Sequence, residues 1–104
     1  MKYHVIQPDG TVTTDEALGS LRPGQERDIL GGAGEHVSVL FNGKVVSMIV
    51  NGEGAVMDPP LAPNTRATAI YWCATIMGHT GVSHDPLTAP MIHGPAILYE
   101  GKLP

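Results

Sequence analysis

The sequence predicts a single α+β domain, spanning residues 1–104, in which a small, largely antiparallel sheet of four or five strands packs on one main helix. Three observations support this fold class. Two β-branched segments flank Asn42-Gly43, the sequence favoured in a tight hairpin turn. Asn64 and Gly78, good residues for the two ends of a helix, bound an apolar segment that predicts the main helix at about residues 64–77. The 13 glycines and 9 prolines indicate short elements joined by turns.

Two short helical turns are expected before the hairpin. Thr13 and Glu16 have the spacing of a helix capping box, which predicts a short helix near residues 14–21. A second helical turn near residues 25–30 is expected to end at Gly31-Gly32, because glycine adopts the left-handed conformation that commonly closes a helix.

Strands are expected on both sides of these elements. Residues 2–7 form a strand by residue type, closed by the turn signal at residues 8–10, and residues 11–13 are placed to pair back onto it. A short strand is expected at residues 55–57, and the apolar residues 95–100 predict the last strand.

The two-residue turn fixes the register of the central hairpin, so that Phe41 is opposite Lys44 and Val37 is opposite Met48. Alternation then predicts one core face, made of Val37, Val39, Phe41, Val46, Met48 and Val50. The other face is mixed and is expected to be half exposed or covered by another subunit. It carries His36, Ser38, Leu40, Val45, Ser47 and Ile49.

Charge and cysteine content limit the classes of function. The net charge is −4 and the six basic residues are dispersed, so general nucleic-acid binding is not expected. A small anionic ligand held by one or two arginines stays open. Cys73 is the single cysteine and can form neither an internal disulfide nor a cysteine-rich zinc site. With no apolar segment of signal-peptide or membrane-spanning type, a cytosolic protein with no membrane partner and no cofactor is expected.

Four short motifs occur in order along the chain. They are Leu30-Gly31-Gly32 with Glu35, Asn51-Gly52-Glu53-Gly54, Leu61-Ala62-Pro63-Asn64-Thr65-Arg66-Ala67-Thr68, and Gly94-Pro95-Ala96-Ile97-Leu98. On these motifs, over about residues 1–100, the chain resembles a small domain family of unknown function from actinobacteria, their phages and plasmids. Gly52 departs from the acidic residue usual in that family. The resemblance implies a cytosolic protein of a mobile element and supplies no activity.

Two groups of polar residues are candidate sites. The first contains Asn51, Glu53, Asn64 and Arg66, where the start of the main helix, with Arg66, is suited to an anion such as a phosphate. The structural alternative is that Asn51 makes a turn and Asn64 caps the helix.

The second group contains metal-ligand side chains in the segment between the main helix and the last strand. These are His79, His84, Asp85 and His93. Their spacing is wider than in compact zinc sites, so the alternative is a solvated loop.

The function predicted from the sequence is a non-enzymatic accessory binding protein of a phage or mobile element. It is expected to act by sequestering a small anionic, nucleotide-like ligand or a host protein, and counter-defence follows from the resemblance alone. The mixed hairpin face and the main helix predict a homo-oligomer with an interface at Trp72, His36, Leu40 and Ile49. Two alternatives stay open: a purely protein–protein regulator with an exposed apolar patch near Trp72, and a metal-dependent hydrolase that uses the histidine segment.

Overall fold

The computed structural model describes residues 1–19, 21–52, 61–76 and 91–101. Within these residues the strands are β1 (Lys2–Ile6), β2 (Val12–Glu16), β3 (Gly34–Phe41), β4 (Lys44–Asn51) and β5 (Ala96–Tyr99), and the helices are α1 (Pro23–Leu30) and α2 (Thr65–Ile76). The predicted α+β class is confirmed. The strand expected at residues 55–57 lies outside the described residues. In the described part of the chain, no helix is long and apolar enough to cross a membrane.

The strands form one sheet in the order β2-β1-β5-β4-β3, and every neighbouring pair is antiparallel. The predicted last strand is confirmed as β5, which lies at the centre of the sheet between β1 and β4. All four of its residues are buried. The last strand in the chain therefore joins the β1–β2 hairpin to the β3–β4 hairpin.

The register predicted for the central hairpin is confirmed, with Phe41 opposite Lys44 and Val37 opposite Met48. Asn42 and Gly43 both have positive φ, at 52° and 76°. A type I′ turn needs this conformation at both central residues, and asparagine and glycine adopt it at least cost.

The helix predicted near residues 14–21 is wrong, because Val12–Glu16 forms strand β2. Thr13 pairs with Val5 and Thr14 pairs with His4, so β2 completes a hairpin with β1. Threonine and valine favour strands, and pairing with an adjacent strand outweighs a local capping pattern. The pairing of residues 11–13 with the first strand is therefore confirmed, and the paired strand continues to Glu16.

Helix α1 confirms the helical turn predicted near residues 25–30 and begins earlier, at Pro23. Proline suits the first turn of a helix because its missing N–H would have no intrahelical acceptor there. Gly31 closes the helix with a φ of 77°, and its N–H donates to the carbonyl oxygen of Arg27 at 2.9 Å.

The two helices cover opposite faces of the sheet. On the α2 side, Ala67 and Tyr71 pack with the buried apolar residues of the predicted core face, among them Val39, Met48 and Val50. On the α1 side, Leu30 packs with Ile49, Ile97 and Tyr99. The mixed hairpin face was expected to be half exposed or covered by another subunit, but at Ile49 it is covered by helix α1 of the same chain.

Asn64 fixes the start of α2 on the sheet and is completely buried. Its Oδ1 accepts from the Ala67 N–H at 3.1 Å, which caps the helix. Its Nδ2 donates to the carbonyl oxygens of Ile6 at 2.8 Å and Gly94 at 2.9 Å. One side chain therefore joins α2, the end of β1 and the segment before β5.

Replacing Asn64 with alanine should lower the free energy of unfolding by at least about 2 kcal/mol, because it removes a helix cap and leaves two buried carbonyl oxygens without donors. Urea unfolding measures the change. Thr65→Ala is the matched control, since Thr65 is exposed in the same turn, and should change stability by less than about 0.5 kcal/mol. Similar small losses in both variants would contradict a central role for Asn64.

Tyr99 holds α1 against the other face of the sheet. Its hydroxyl donates to Oε2 of Glu26 at 2.9 Å and accepts from the Leu21 N–H at 3.1 Å. Burial raises the pKa of Tyr99 to about 12, and the neighbouring Glu26 carboxylate acts in the same direction. The neutral phenol is therefore the form that the fold requires.

The stability of the protein should fall as pH rises from about 10 to about 12. Tyr99 titrates near 10.0 when unfolded and near 12 when folded, so its contribution is complete below pH 10 and is lost through the folded pKa. Tyr99→Phe should remove this part of the fall, whereas Tyr3→Phe, in the adjacent ring, should keep it. Urea unfolding at successive pH values measures both. An unchanged alkaline profile in Tyr99→Phe would count against the assignment.

Candidate functional site

A pocket of about 160 Å³ opens at the end of the sheet where β3 begins and β4 ends. Its walls come from the start of β3, the end of β4, one residue of α2 and the segment 91–93. The lining residues are Glu35, Val37, Val50, Asn51, Gly52, Tyr71, Met91, Ile92 and His93. In the described part of the chain the walls are therefore largely apolar, with a few polar groups and one carboxylate.

The hairpin places the carboxylate of Glu35 at this end of the sheet. Glu35 pairs with Val50, and alternation puts it on the same face as Val37, the face that α2 covers. Glu35 remains exposed. A Cβ at Gly52 would lie 3.0 Å from Oε2 of Glu35, so the carboxylate rests beside the glycine backbone at the pocket edge.

The wall formed by residues 91–93 is held by the start of α2. Pro63 and His93 form an antiparallel bridge. The Asn64 N–H donates to the carbonyl oxygen of Ile92 at 2.8 Å, and the Ile92 N–H donates to Oγ1 of Thr68 at 2.9 Å. Both backbone polar groups of Ile92 are therefore paired with α2 or its cap, which fixes the wall relative to the helix.

His93 lies in this wall with a defined hydrogen bond. Nδ1 is 2.9 Å from the carbonyl oxygen of Leu61. Because a carbonyl oxygen can only accept, Nδ1 is assigned the proton, and Nε2 of the neutral ring is an acceptor. His93 is partly buried and belongs to the pocket lining.

The other predicted metal ligands, His79, His84 and Asp85, lie outside the described residues. In the ranges that the structure describes, no group of three or more histidine, cysteine, aspartate or glutamate residues is arranged to hold a metal ion. His93 lines the pocket and is bonded to the backbone carbonyl oxygen of Leu61.

The four predicted ligand residues occupy different environments. Asn51 lines the pocket, and its Nδ2 donates to the carbonyl oxygen of Leu30 at 3.1 Å. Asn64 is buried in the cap of α2, as the structural alternative expected. Arg66 is exposed and lines a separate depression beside the turn that contains Asp9. Glu53 lies outside the described residues. The pocket thus includes Asn51 without Asn64 or Arg66.

The predicted interface residues also differ in exposure. His36 is exposed, and its Nε2 is 2.8 Å from Oγ of the buried Ser47. Leu40 and Trp72 are half-buried, and Ile49 lies in the α1-side core. The indole N–H of Trp72 is buried, and within the described ranges it has no hydrogen-bond partner.

Sequence reasoning did not single out Glu35, Tyr71 or the neighbours of His93 as parts of one site. A signal for Glu35 was present, because alternation from Val37 places this charged residue at the end of the predicted core face. No local pattern indicates that residues 91–93 pack beside the hairpin, since that wall depends on the distant Pro63–His93 bridge.

The fold and the pocket together define a small α+β domain with a partly apolar, acid-edged recess. Comparison with protein-family models, with curated proteins and with solved structures finds no match. The chemistry of the pocket is therefore the basis for a functional proposal.

Proposed function

We propose that this chain is a non-enzymatic binding protein that docks on a protein partner, and that the pocket receives one side chain of that partner. The size of the pocket carries this proposal. Pockets for whole small molecules usually enclose about 300–1,000 Å³, whereas this pocket encloses about 160 Å³. A recess of this size suits a single side chain presented by a larger surface.

The charge of the pocket favours a protein over the nucleotide-like ligand that the sequence also suggested. Phosphate sites in proteins rely on arginine, lysine or grouped backbone N–H donors. No lysine or arginine is among the nine described residues that line this pocket, and Glu35 contributes a negative charge. A phosphate placed here would meet an unfavourable carboxylate.

This binding is proposed to take place in the cytosol of a host cell. There the protein, encoded by a phage or other mobile element, would bind a host protein. Counter-defence is one such role. The resemblance of four motifs to an actinobacterial family supports this setting, and no contact in the pocket bears on it. The metal-dependent hydrolase stays an alternative, and the ring of His93, the one of its four expected ligands that the structure describes, is bonded through Nδ1 to the carbonyl oxygen of Leu61.

Peptides selected from a random display library should bind at the pocket, and Gly52→Leu should weaken the binding by at least about tenfold by filling the recess. The substitution should be tolerated, because the closest contact of the new Cβ, at 3.0 Å, is Oε2 at the end of the flexible Glu35 side chain, and the Glu35 Cβ lies at an ordinary 3.4 Å. Gly24→Leu is the matched control, since nothing lies within 4 Å of its Cβ position on α1. Isothermal titration measures the affinities, and thermal unfolding verifies that both variants fold.

Two results would overturn the proposal. One is peptide binding that Gly52→Leu leaves unchanged, which would place the docking surface elsewhere. The other is a nucleotide, from a broad panel, whose binding shifts the amide resonances of Val37, Asn51 and Ile92. That result would restore the small-ligand function.

We also propose that the protein self-associates around the edge strand β3, through His36 and Leu40 on one face of the sheet and Trp72 of α2 on the other. The half-buried Trp72 and Leu40 would supply apolar area to such an interface. Light scattering should give at least twice the chain mass of 11.0 kDa, and Leu40→Asp should reduce it to the monomer. A monomer at high concentration would refute self-association.

A further inference from the structure

We infer that the side chain received by the pocket is basic, a lysine or an arginine, whose cationic head pairs with Glu35 while its alkyl stem lies on the apolar wall. This inference rests on the proposed function and names the chemistry of the partner. It follows from the charge, the wall composition and the hydrogen-bond acceptors of the pocket.

The carboxylate of Glu35 is the charged group that a ligand meets at the pocket edge. Among the described residues it forms neither a hydrogen bond nor an ion pair, since the ion pair found there joins His4 to Glu100. None of the described lysines and arginines lines the pocket. An incoming cation would therefore pair with Glu35 without displacing a partner from the described residues, and partial exclusion of water would strengthen the attraction.

The apolar wall matches the stem of a basic side chain. Val37, Val50 and Ile92 form its inner part, and Met91 lies at its rim with 43% of its surface exposed. Lysine and arginine bury their methylene stems against apolar surface while the charged head keeps polar contacts. The flexible Met91 side chain can adapt to either stem.

His93 supplies a second group suited to a cation. With Nδ1 donating to Leu61, the neutral ring presents Nε2 as an acceptor. An ammonium or guanidinium head can donate to a carboxylate and to such an acceptor together, whereas an alkyl carboxylate can donate to neither. The acceptor groups of the pocket therefore favour a cationic donor, as the negative charge of Glu35 does.

The source of the cation is a protein side chain and not a free polyamine. A polyamine carries several cationic groups and is held by several carboxylates, but Glu35 is the only carboxylate among the described residues that line this pocket. A single stem with a single charged head is what one lysine or arginine presents. The net charge of −4 also favours approach of a basic protein surface.

Four small probes test the inference directly. They are n-butylammonium and n-propylguanidinium as cations, n-pentanol as the neutral analogue, and n-pentanoate as the anion. Amide chemical shifts of the full chain give each dissociation constant. Both cations should bind about threefold to tenfold more tightly than pentanol, pentanoate should bind most weakly, and added salt should reduce the advantage of the cations.

Matched charge variants show whether Glu35 causes the preference. Glu35→Gln should remove the advantage of the cations while leaving pentanol binding unchanged. Glu16→Gln makes the same change of charge on β2, where every residue is exposed, and should leave all four affinities unchanged. Amide spectra verify that both variants keep the fold.

The outcomes separate the inference from the proposed function. Equal binding of cations and pentanol, or tighter binding of pentanoate, would overturn the inference while peptide docking at the pocket still stood. Spermidine binding much more tightly than butylammonium would overturn the assignment to a protein side chain. If no probe binds but Gly52→Leu still weakens the binding of selected peptides, the inference of a basic side chain is refuted and the proposed function stands. If no probe binds and Gly52→Leu leaves peptide binding unchanged, both the inference and the proposed function are refuted.

Discussion

The buried side chain of Asn64 is the contact on which the arrangement of this fold depends. Its oxygen caps α2, and its two N–H groups bond to the carbonyl oxygens of Ile6 and Gly94. These carbonyls belong to segments that are far apart in sequence, one at the end of β1 and one just before β5. A buried amide with all of these groups paired is stable, whereas the loss of one partner leaves polar atoms in a medium that does not solvate them. The helix start, the strand end and the approach to β5 are therefore fixed together.

The central position of β5 explains why such a contact is needed. The β1–β2 hairpin and the β3–β4 hairpin are each local in sequence, but they meet only through β5, which pairs with β1 and with β4. Joining them requires closure of a long loop, and the entropic cost of that closure must be offset by contacts that form afterwards. Asn64 stabilises this arrangement on the α2 face, and the Tyr99–Glu26 hydrogen bond does so on the α1 face. The cap of α2 thus fixes the approach to the central strand on one face of the sheet, and α1 packs on that strand from the other.

The parts of this fold that could be predicted are those set by neighbouring residues. The register of the hairpin follows from Asn42-Gly43, and the start of α2 follows from Asn64, because a tight turn and a helix cap are local structures. β2 could not be distinguished from a helix, because Thr13 and Glu16 satisfy a capping pattern and only pairing with β1 decides against it. The pocket was harder to predict, since its walls come from separate segments. Asn51 was recognised as polar at a turn, but its proximity to Tyr71 and His93 depends on how β5 and α2 assemble.

The stability of the fold and the shape of the pocket depend on the same few hydrogen bonds. The wall residue Ile92 is held by the Asn64 N–H and by Oγ1 of Thr68, and Thr68 itself donates to the Asn64 carbonyl oxygen at 2.7 Å. His93 is fixed beside it by its bond to Leu61. The carboxylate of Glu35 is placed from the other side, by the hairpin register. The distance between the acidic edge and the apolar wall is therefore set where α2 begins, so a substitution at Asn64 would alter the pocket without touching any ligand. Pre-formed geometry of this kind lowers the ordering cost of binding, which matters most for a recess that, as proposed, receives only one side chain.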